Sequence, residues 1–450
     1  MKFCGGNNIA IDEARGLFQV ARRAFVSEEI LQTERAEIFD KCWLYLGHES
    51  ELAVPGAFVS RSVGGRDLIF NRDAKGVVHA FLDSCPHRGA RLCLERSGVA
   101  KNFQCIYHGW VFSADGKFRH QPHHAGYPEG FEDNCAVDLV PVPRLENYRG
   151  FWFLCFDRAA RSLHDYLGGA REYLDCVADQ SDRLEIISGS QEYMIRANWK
   201  LLCENSFDGY HADNLHATYF DYVKNVNPMA AKAPAAALRL EGVARSLGNG
   251  HAVVEFSGPW GRPAGKWSPS WGEQTKAEME GIYSKLEARL DRQRAQRIVN
   301  LNRNLVIFPN LVIVDATGLV LRTMYPEAPD RMNVSTWAVA PKDESDWLRR
   351  IRLRNFLEFL GPGGLATPDD IEALERCQLG YRNIKEAPWT DVSKGSLTAN
   401  ELPMDDEGQI RAFWREWGQC LDRNPVAPPA PPLKVQLRQA IGAKAMGEVQ

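Results

Sequence analysis

The chain has 450 residues, of which 44% are hydrophobic and 25% charged, a globular composition long enough for two or three cores, which excludes wholesale disorder. Its 54 Lys+Arg against 58 Asp+Glu leave a formal net charge of -4, so there is no global basic field to attract nucleic acid or an anionic membrane. With no basic-flanked apolar leader and no run near the roughly 18 apolar residues of a bilayer span, the expectation is a soluble, cytoplasmic protein without nucleic-acid or membrane partners.

Taken in chain order, residues 27–39 place Ile30, Leu31, Ile38 and Phe39 near helical spacing, and the apolar run 42–46 follows. From about 49 to 157 the text changes to short β-like segments punctuated by glycine and proline, at 57–60, 67–71, 77–82, 110–113 and 150–156. Residues 163–177 read as helix and 183–196 as extended strand. The Glu-, Lys-, Arg-, Ala- and Leu-rich stretch 273–300 reads as one long helix, followed by strands at 305–315, 319–325 and 332–340 and helices at 347–360 and 369–378. Two segments, 227–236 and 257–272, have the composition of loops beside a pocket, and the proline-rich 424–433 reads as an extended tail. The predicted class is α+β.

The 11 cysteines are an odd number scattered without a disulfide pattern, which points to reduced thiols or metal ligands. Cys42, Cys135, Cys155, Cys176, Cys203, Cys377 and Cys420 are expected in packing roles. Cys85 and Cys105 stand apart, in Cys85-Pro86-His87 and Cys105-Ile106-Tyr107-His108, each pair in a short turn flanked by Arg88-Gly89 or Gly109-Trp110. Zinc would accept two sulfur and two nitrogen donors, but zinc fingers group Cys with Cys and His with His, whereas here each turn carries one of each. A Rieske [2Fe-2S] cluster, with two thiolates on one iron and two imidazoles on the other, fits that division better. Cys-x-His, a gap of 17 residues and Cys-x-x-His, with these flanks, resembles the Rieske domain of aromatic-ring-hydroxylating oxygenases.

A second constellation lies in Glu204-Asn205-Ser206-Phe207-Asp208-Gly209-Tyr210-His211, with His216 five positions further on. On a continuous helix those histidines would sit about 140° apart, so sharing one metal requires the helix to end or distort between them. A facial triad for non-haem iron also needs a carboxylate. The residues alone leave Asp369 and Asp370, beside Pro368 at a helix start, as alternatives. Similarity to the ring-hydroxylating oxygenases favours Asp370 as ligand and leaves Asp369 as a cap. His48, His79, His120, His123, His124, His164 and His251 are expected as ordinary core or surface residues.

The resemblance spans nearly the whole chain and implies the large (alpha) subunit of a Rieske non-haem-iron oxygenase. Its fold would be a small all-β Rieske domain (42–160) inserted in a larger catalytic domain with an antiparallel sheet and helices, helix-grip and START-like. The catalytic domain would comprise an N-terminal helical part (1–41) and residues 161–450. The implied cofactors are a [2Fe-2S] cluster on Cys85, His87, Cys105 and His108 and a mononuclear Fe(II) on His211, His216 and Asp370. Asp208 is implied as the bridge between His211 and the neighbouring subunit's cluster histidine at position 108, in a homotrimer with or without small β subunits. Electrons from NAD(P)H would come through a separate reductase or ferredoxin, because no strand-to-helix G-x-G-x-x-G occurs. An aromatic, benzoate-like substrate would react with O₂ to a cis-dihydrodiol or a phenol. Some family members have one more residue between the Asn and the bridging Asp than the Ser206 and Phe207 found here, so pocket positions transfer poorly; Phe207, Leu360 and Ala366 are expected to face substrate. The competing readings are a Rieske electron carrier without chemistry of its own, and a monooxygenase or dealkylase. A carrier would need only the small β domain, leaving 161–450 unexplained.

Overall fold

In the computed structural model, residues 1–134, 137–187, 189–226, 240–398 and 402–423 are described. The expected loop 227–236, the tail 424–433 and Cys135 lie outside them. A nine-stranded antiparallel sheet carries most of the larger half. Its centre is the meander Glu241–Gly248, His251–Ser257, Leu301–Ile307, Leu311–Asp315, Leu319–Ala328 and Arg331–Pro341, each strand paired with the next. Leu184–Ile186 and Gln191–Ile195 both pair with Arg331–Pro341, and so close that edge. Helices Trp199–Ser206 and Gly408–Asp422 lie against the sheet, as the contact of Cys203 Sγ with Met324 Sδ at 3.5 Å illustrates.

The smaller half holds three little sheets. Ala57–Val63, Arg66–Arg72, Val78–Leu82 and Ser97–Val99 form one, and Asn102–Gln104, Val111–Ser113 and Phe118–His120 another. Between them Phe58, Ile69, Phe81, Phe103, Trp110 and Phe112 bury a core of their own. The third sheet, Leu44–His48 with Phe151–Cys155 and Arg144–Tyr148, packs differently: Leu44, Leu46, Phe151 and Phe153 belong to the core of the larger half.

Four expectations are corrected. The N-terminal part is α-helical only from Glu28, where Ser27 Oγ caps the helix Glu28–Glu34 and a π turn, Arg35–Phe39, follows; its earlier helical residues are confined to the short 3-10 turns Glu13–Arg15 and Arg22–Phe25. Before it, Lys2–Cys4, Ile9–Asp12 and Leu17–Ala21 form a meander completed by Trp389–Asp391, a partner no local pattern could indicate. The stretch 163–177 is two helices, Leu163–Leu167 and Ala170–Ala178, because the backbone turns at Gly168 and Gly169 N–H leaves to donate to the Leu247 carbonyl at 3.1 Å. The stretch 273–300 likewise divides into Lys276–Arg289 and Arg292–Asn300, since Asp291 caps the second helix by accepting from Arg294 N–H at 2.9 Å. Of the cysteines expected to pack, Cys377 is exposed; Cys42, Cys155, Cys176, Cys203 and Cys420 are buried.

One polar cluster ties the two ends of the fold together. Glu34, fully buried, accepts from Trp199 Nε1 at 2.7 Å, from Trp417 Nε1 at 2.8 Å and from the buried Lys200 ammonium. Nearby, the Gly5 and Gly6 N–H groups donate to Asp422 at 3.0 and 2.8 Å. Lys200→Met would leave the Glu34 carboxylate buried without its countercharge, and should lower stability by about 3–5 kcal/mol. Arg196→Ala, which breaks the exposed pair with Glu375 at 2.8 Å, should cost about 1 kcal/mol or less. Guanidinium unfolding of the two variants checks the contrast, and equal losses would mean the buried pair is not the anchor described.

Candidate metal centres

The two Cys/His turns are built alike. Cys85 N–H donates to the Ala90 carbonyl at 2.8 Å while Gly89 N–H returns to the Cys85 carbonyl at 2.8 Å; the matching pairs are Cys105 with Trp110 at 2.8 Å and Gly109 with Cys105 at 3.0 Å. Each turn therefore needs positive φ four residues after its cysteine, and Gly89 (+74°) and Gly109 (+72°) supply it. The two rings, His87 and His108, meet at 4.5 Å between centroids, and His87 lies flat on Trp110 at 4.9 Å. Both Nδ1 atoms are buried without a hydrogen-bond partner, and Cys85 and Cys105 are buried free thiols. Burial raises the Cys85 thiol, and the adjoining Cys105 raises it further against the pull of the His87 N–H. Burial, with His108 alongside, lowers His87. Buried polar atoms left unpaired call for a missing partner, and two cysteines with two histidines are the donor set of a Rieske cluster. At the rim, Ile106 and Tyr107 are exposed.

The second set hangs from the helix Trp199–Ser206, whose N-terminus Asn198 caps by accepting from Lys200 N–H at 3.2 Å. The helix ends at Phe207, and the chain turns through Gly209, where a Cβ would fall 2.3 Å from the Met404 carbonyl. His211 then precedes the single turn Ala212–Leu215 and His216 closes it at φ -96°, ψ 20°, before Ala217–Val226 continues. The helical path is thus interrupted at both histidines, which allows them to face one another, with ring centroids 5.2 Å apart.

Asp370 enters from the first turn of the helix Thr367–Gly380, and ligand atoms of His211, His216 and Asp370 all lie within 4.8 Å of one another. Asp370 Oδ1 is 3.3 Å from His216 Nε2 and 3.6 Å from His211 Nε2. Burial pushes the Asp370 carboxyl up, but His216, His211 and Asn205 outweigh it and hold the group below its ordinary value. Burial likewise lowers His211, but the bond to Asp208 and the charges of Asp208 and Asp370 carry it above its ordinary value. Two convergent nitrogens and a carboxylate fit a divalent metal with open positions.

Behind this trio the supports are asymmetric. Asp208 Oδ2 is 3.2 Å from His211 Nδ1, while its Oδ1 accepts from Tyr210 N–H at 2.7 Å. Asp369 is not a cap; Ala366 occupies that position, and the Asp369 Oδ2 sits 3.8 Å from the buried, unpaired Nδ1 of His216. Asn205, to which the sequence pattern alone assigns no role, donates from Nδ2 to Asp370 Oδ1 at 3.0 Å. Its position one turn before the Asp208 corner was the available signal. Glu204, bonded by Trp414 Nε1, has its carboxyl pushed up to about 8 by burial, with Glu407 and Asp208 adding to the shift and Trp414 opposing it. Phe207, Leu360 and Ala366 are all buried. Of the remaining histidines, His251 is a satisfied core residue, accepting from Phe308 N–H at 2.9 Å and lying 2.7 Å from the Tyr166 carbonyl.

Residues 42–143 match the Rieske [2Fe-2S] domain family, and residues 163–423 match the family described as ring hydroxylating alpha subunit (catalytic domain). The chain is 32% identical over 406 residues to the 2-halobenzoate 1,2-dioxygenase large subunit of Burkholderia cepacia, covering 87% of this chain and 83% of that one. It is 32% identical over 409 residues to the toluate 1,2-dioxygenase subunit alpha of Pseudomonas putida, covering 88% and 85%. Among solved structures, naphthalene 1,2-dioxygenase from Rhodococcus sp. bound to indole superposes with a TM-score of 0.76 at 26% identity, over 90% of this chain and 94% of that one. No helix among the described residues is long and apolar enough to cross a membrane.

Proposed function

Since the chain belongs to the ring-hydroxylating oxygenase alpha-subunit family, with a Rieske domain ahead of the catalytic domain, we propose that it is the terminal oxygenase that hydroxylates an aromatic substrate with O₂. The observation that carries this reading is the convergence of His211, His216 and Asp370 within 4.8 Å, in a chain that also pairs Cys85, His87, Cys105 and His108 in matched turns. An electron carrier would have no use for the first set.

In this reading Cys85, Cys105, His87 and His108 hold a [2Fe-2S] cluster and His211, His216 and Asp370 hold Fe(II). When bound, the cluster supplies electrons and the iron activates O₂. The chain itself supplies orientation. Asp208 fixes the His211 ring through Nδ1, leaving Nε2 toward Asp370, and Asn205 fixes Asp370. Phe207, Leu360 and Ala366 contribute apolar walls that exclude water. NAD(P)H serves only through a partner reductase, with or without a ferredoxin.

The organisation adopted is the division 1–41, 42–160 and 161–450, supported by the separate small core around Phe58 and Phe112. Assembly is proposed as a trimer of large subunits, with small β subunits as a question for copurification. Asp208 then bridges His211 to His108 of a neighbouring copy. Two features favour this: Asp208 is only half-buried beside exposed Tyr210, and half-buried His108 sits beside exposed Ile106 and Tyr107. Relatives named for halobenzoate and toluate incline the substrate toward aromatic acids.

The test is a single turnover: chemically reduced protein, loaded with both metals, is given O₂ with a panel of neutral arenes and aromatic acids, and products are identified by mass spectrometry. A cis-dihydrodiol is the expected product. A phenol or dealkylated product would move the assignment to a monooxygenase, and no product from protein with both metals in place would favour the electron carrier.

A further inference from the structure

Five arginines are buried among the described residues, and four are matched. Arg262 donates to Asp315 at 2.8 Å, and Arg303 to Glu255 at 3.0 Å and Asp315 at 3.1 Å. Arg352 donates to Glu344 at 2.7 Å, and Arg411 to the carbonyls of Val392 and Lys394 at 2.9 and 2.6 Å. Arg322, only 4% exposed, has one contact at the limit of a hydrogen bond, from Nη2 to the Leu360 carbonyl at 3.5 Å. Its Nε is buried with no partner, and no acid among the described residues pairs with it. A guanidinium stays charged at any physiological pH and presents five N–H donors, so a buried one without an anion is costly to keep.

Its surroundings indicate what completes it. Arg322 lies mid-strand in Leu319–Ala328, between Val312 and Thr336 on the adjacent strands. Strand alternation puts it on the same face as Met324, and Met324 Sδ touches Cys203 of the helix that carries Asn205, 3.5 Å away. Leu360, which receives its one contact, follows Phe359, whose ring packs on His216 at 5.8 Å. The opposite face of the same strands, at Trp337, meets Tyr45 at 6.0 Å instead. Arg322 therefore stands on the side of the sheet that carries the His211, His216 and Asp370 trio.

We propose that Arg322 is the carboxylate anchor of the substrate site, receiving the acid group of an aromatic carboxylate on paired N–H donors and so turning the ring toward the trio; this rests on the oxygenase reading above. A planar fork matches a carboxylate as a single ammonium does not. The test is equilibrium dialysis of radiolabelled benzoate and toluene against the metal-loaded protein, as wild type, Arg322→Gln and Arg322→Lys, with product analysis run in parallel. Arg322→Gln should weaken benzoate binding by about 100-fold, far more than it weakens toluene binding, and Arg322→Lys should fall between. Should the glutamine variant fail to fold, the lysine variant carries the comparison. Wild type that does not bind benzoate, or benzoate and toluene affinities that fall together, would overturn the anchor. Hydroxylated toluene with benzoate binding indifferent to residue 322 would sink the anchor and keep the oxygenase, whereas residue-dependent benzoate binding with no hydroxylated product from any arene would do the reverse.

Discussion

Asp208→Ala should retain the Rieske absorbance spectrum and nearly full iron content while steady-state hydroxylation falls by at least about 100-fold. Neither proposed ligand set is altered in this variant. What goes is the hold on His211 Nδ1, 3.2 Å from Asp208 Oδ2, and the acceptor that a neighbouring copy's cluster histidine would meet. Asp208→Asn is the finer probe, because it keeps the shape and the acceptor for the Tyr210 N–H and removes only the charge. Stopped-flow oxidation of the prereduced cluster supplies a second readout: it should slow with turnover in both variants. A variant with wild-type turnover would sink the bridge assignment, and one that had lost iron would recast Asp208 as a support of the metal alone.

His211→Ala is expected to have the other large effect, on occupancy rather than on transfer. Removing one of the three proposed protein ligands should bring mononuclear iron to background by metal analysis, with turnover abolished and the cluster spectrum unchanged. His87 stacks on Trp110, which packs on Phe118 within the small core around Phe58 and Phe112. Asp369→Asn is the internal control: its carboxylate stands 3.8 Å behind His216 rather than among the convergent atoms, so affinity should weaken by about 10-fold at most. If Asp369→Asn emptied the site and Asp370→Asn did not, the ligand assignment would be reversed. Simultaneous loss of iron and cluster in His211→Ala would indicate a collapsed fold.

Chemistry confined to one turn was legible in the sequence, because ligand spacing is local. Cys85 and His87, or Cys105 and His108, announce a shared site by their offsets alone, and the need for a helical break between His211 and His216 follows from helix geometry. The breaks at Gly168 and at Asp291 were also written in single residues, although composition alone read each stretch as one helix. What the pattern hid was long-range. The Leu17–Ala21 strand finds its partner at Trp389–Asp391. Asp369 reads as a cap until the helix start is seen to lie at Ala366. Arg322 ends the apolar run Leu319-Val320-Leu321, a visible anomaly, but its significance depends on every other buried arginine among the described residues having found a partner.

The Glu34 cluster also imposes an order on how the protein is made. Glu34 and Trp417 are 383 positions apart, and at about 5–20 residues per second a ribosome would take roughly 20–75 s to deliver the second after the first. Throughout that interval the larger core lacks its final tryptophans and the Glu34 carboxylate, served by Trp199 and Lys200, lacks its Trp417 donor, so this half of the molecule is complete only once the closing helix has emerged. The unit around Phe58 and Phe112 is under no such constraint: its two sheets are drawn from residues 57–120, most strands pairing with a neighbour in sequence, and contacts of short range form early. The nascent chain therefore carries the Cys85, His87, Cys105 and His108 turns complete well before Asp370 has been made.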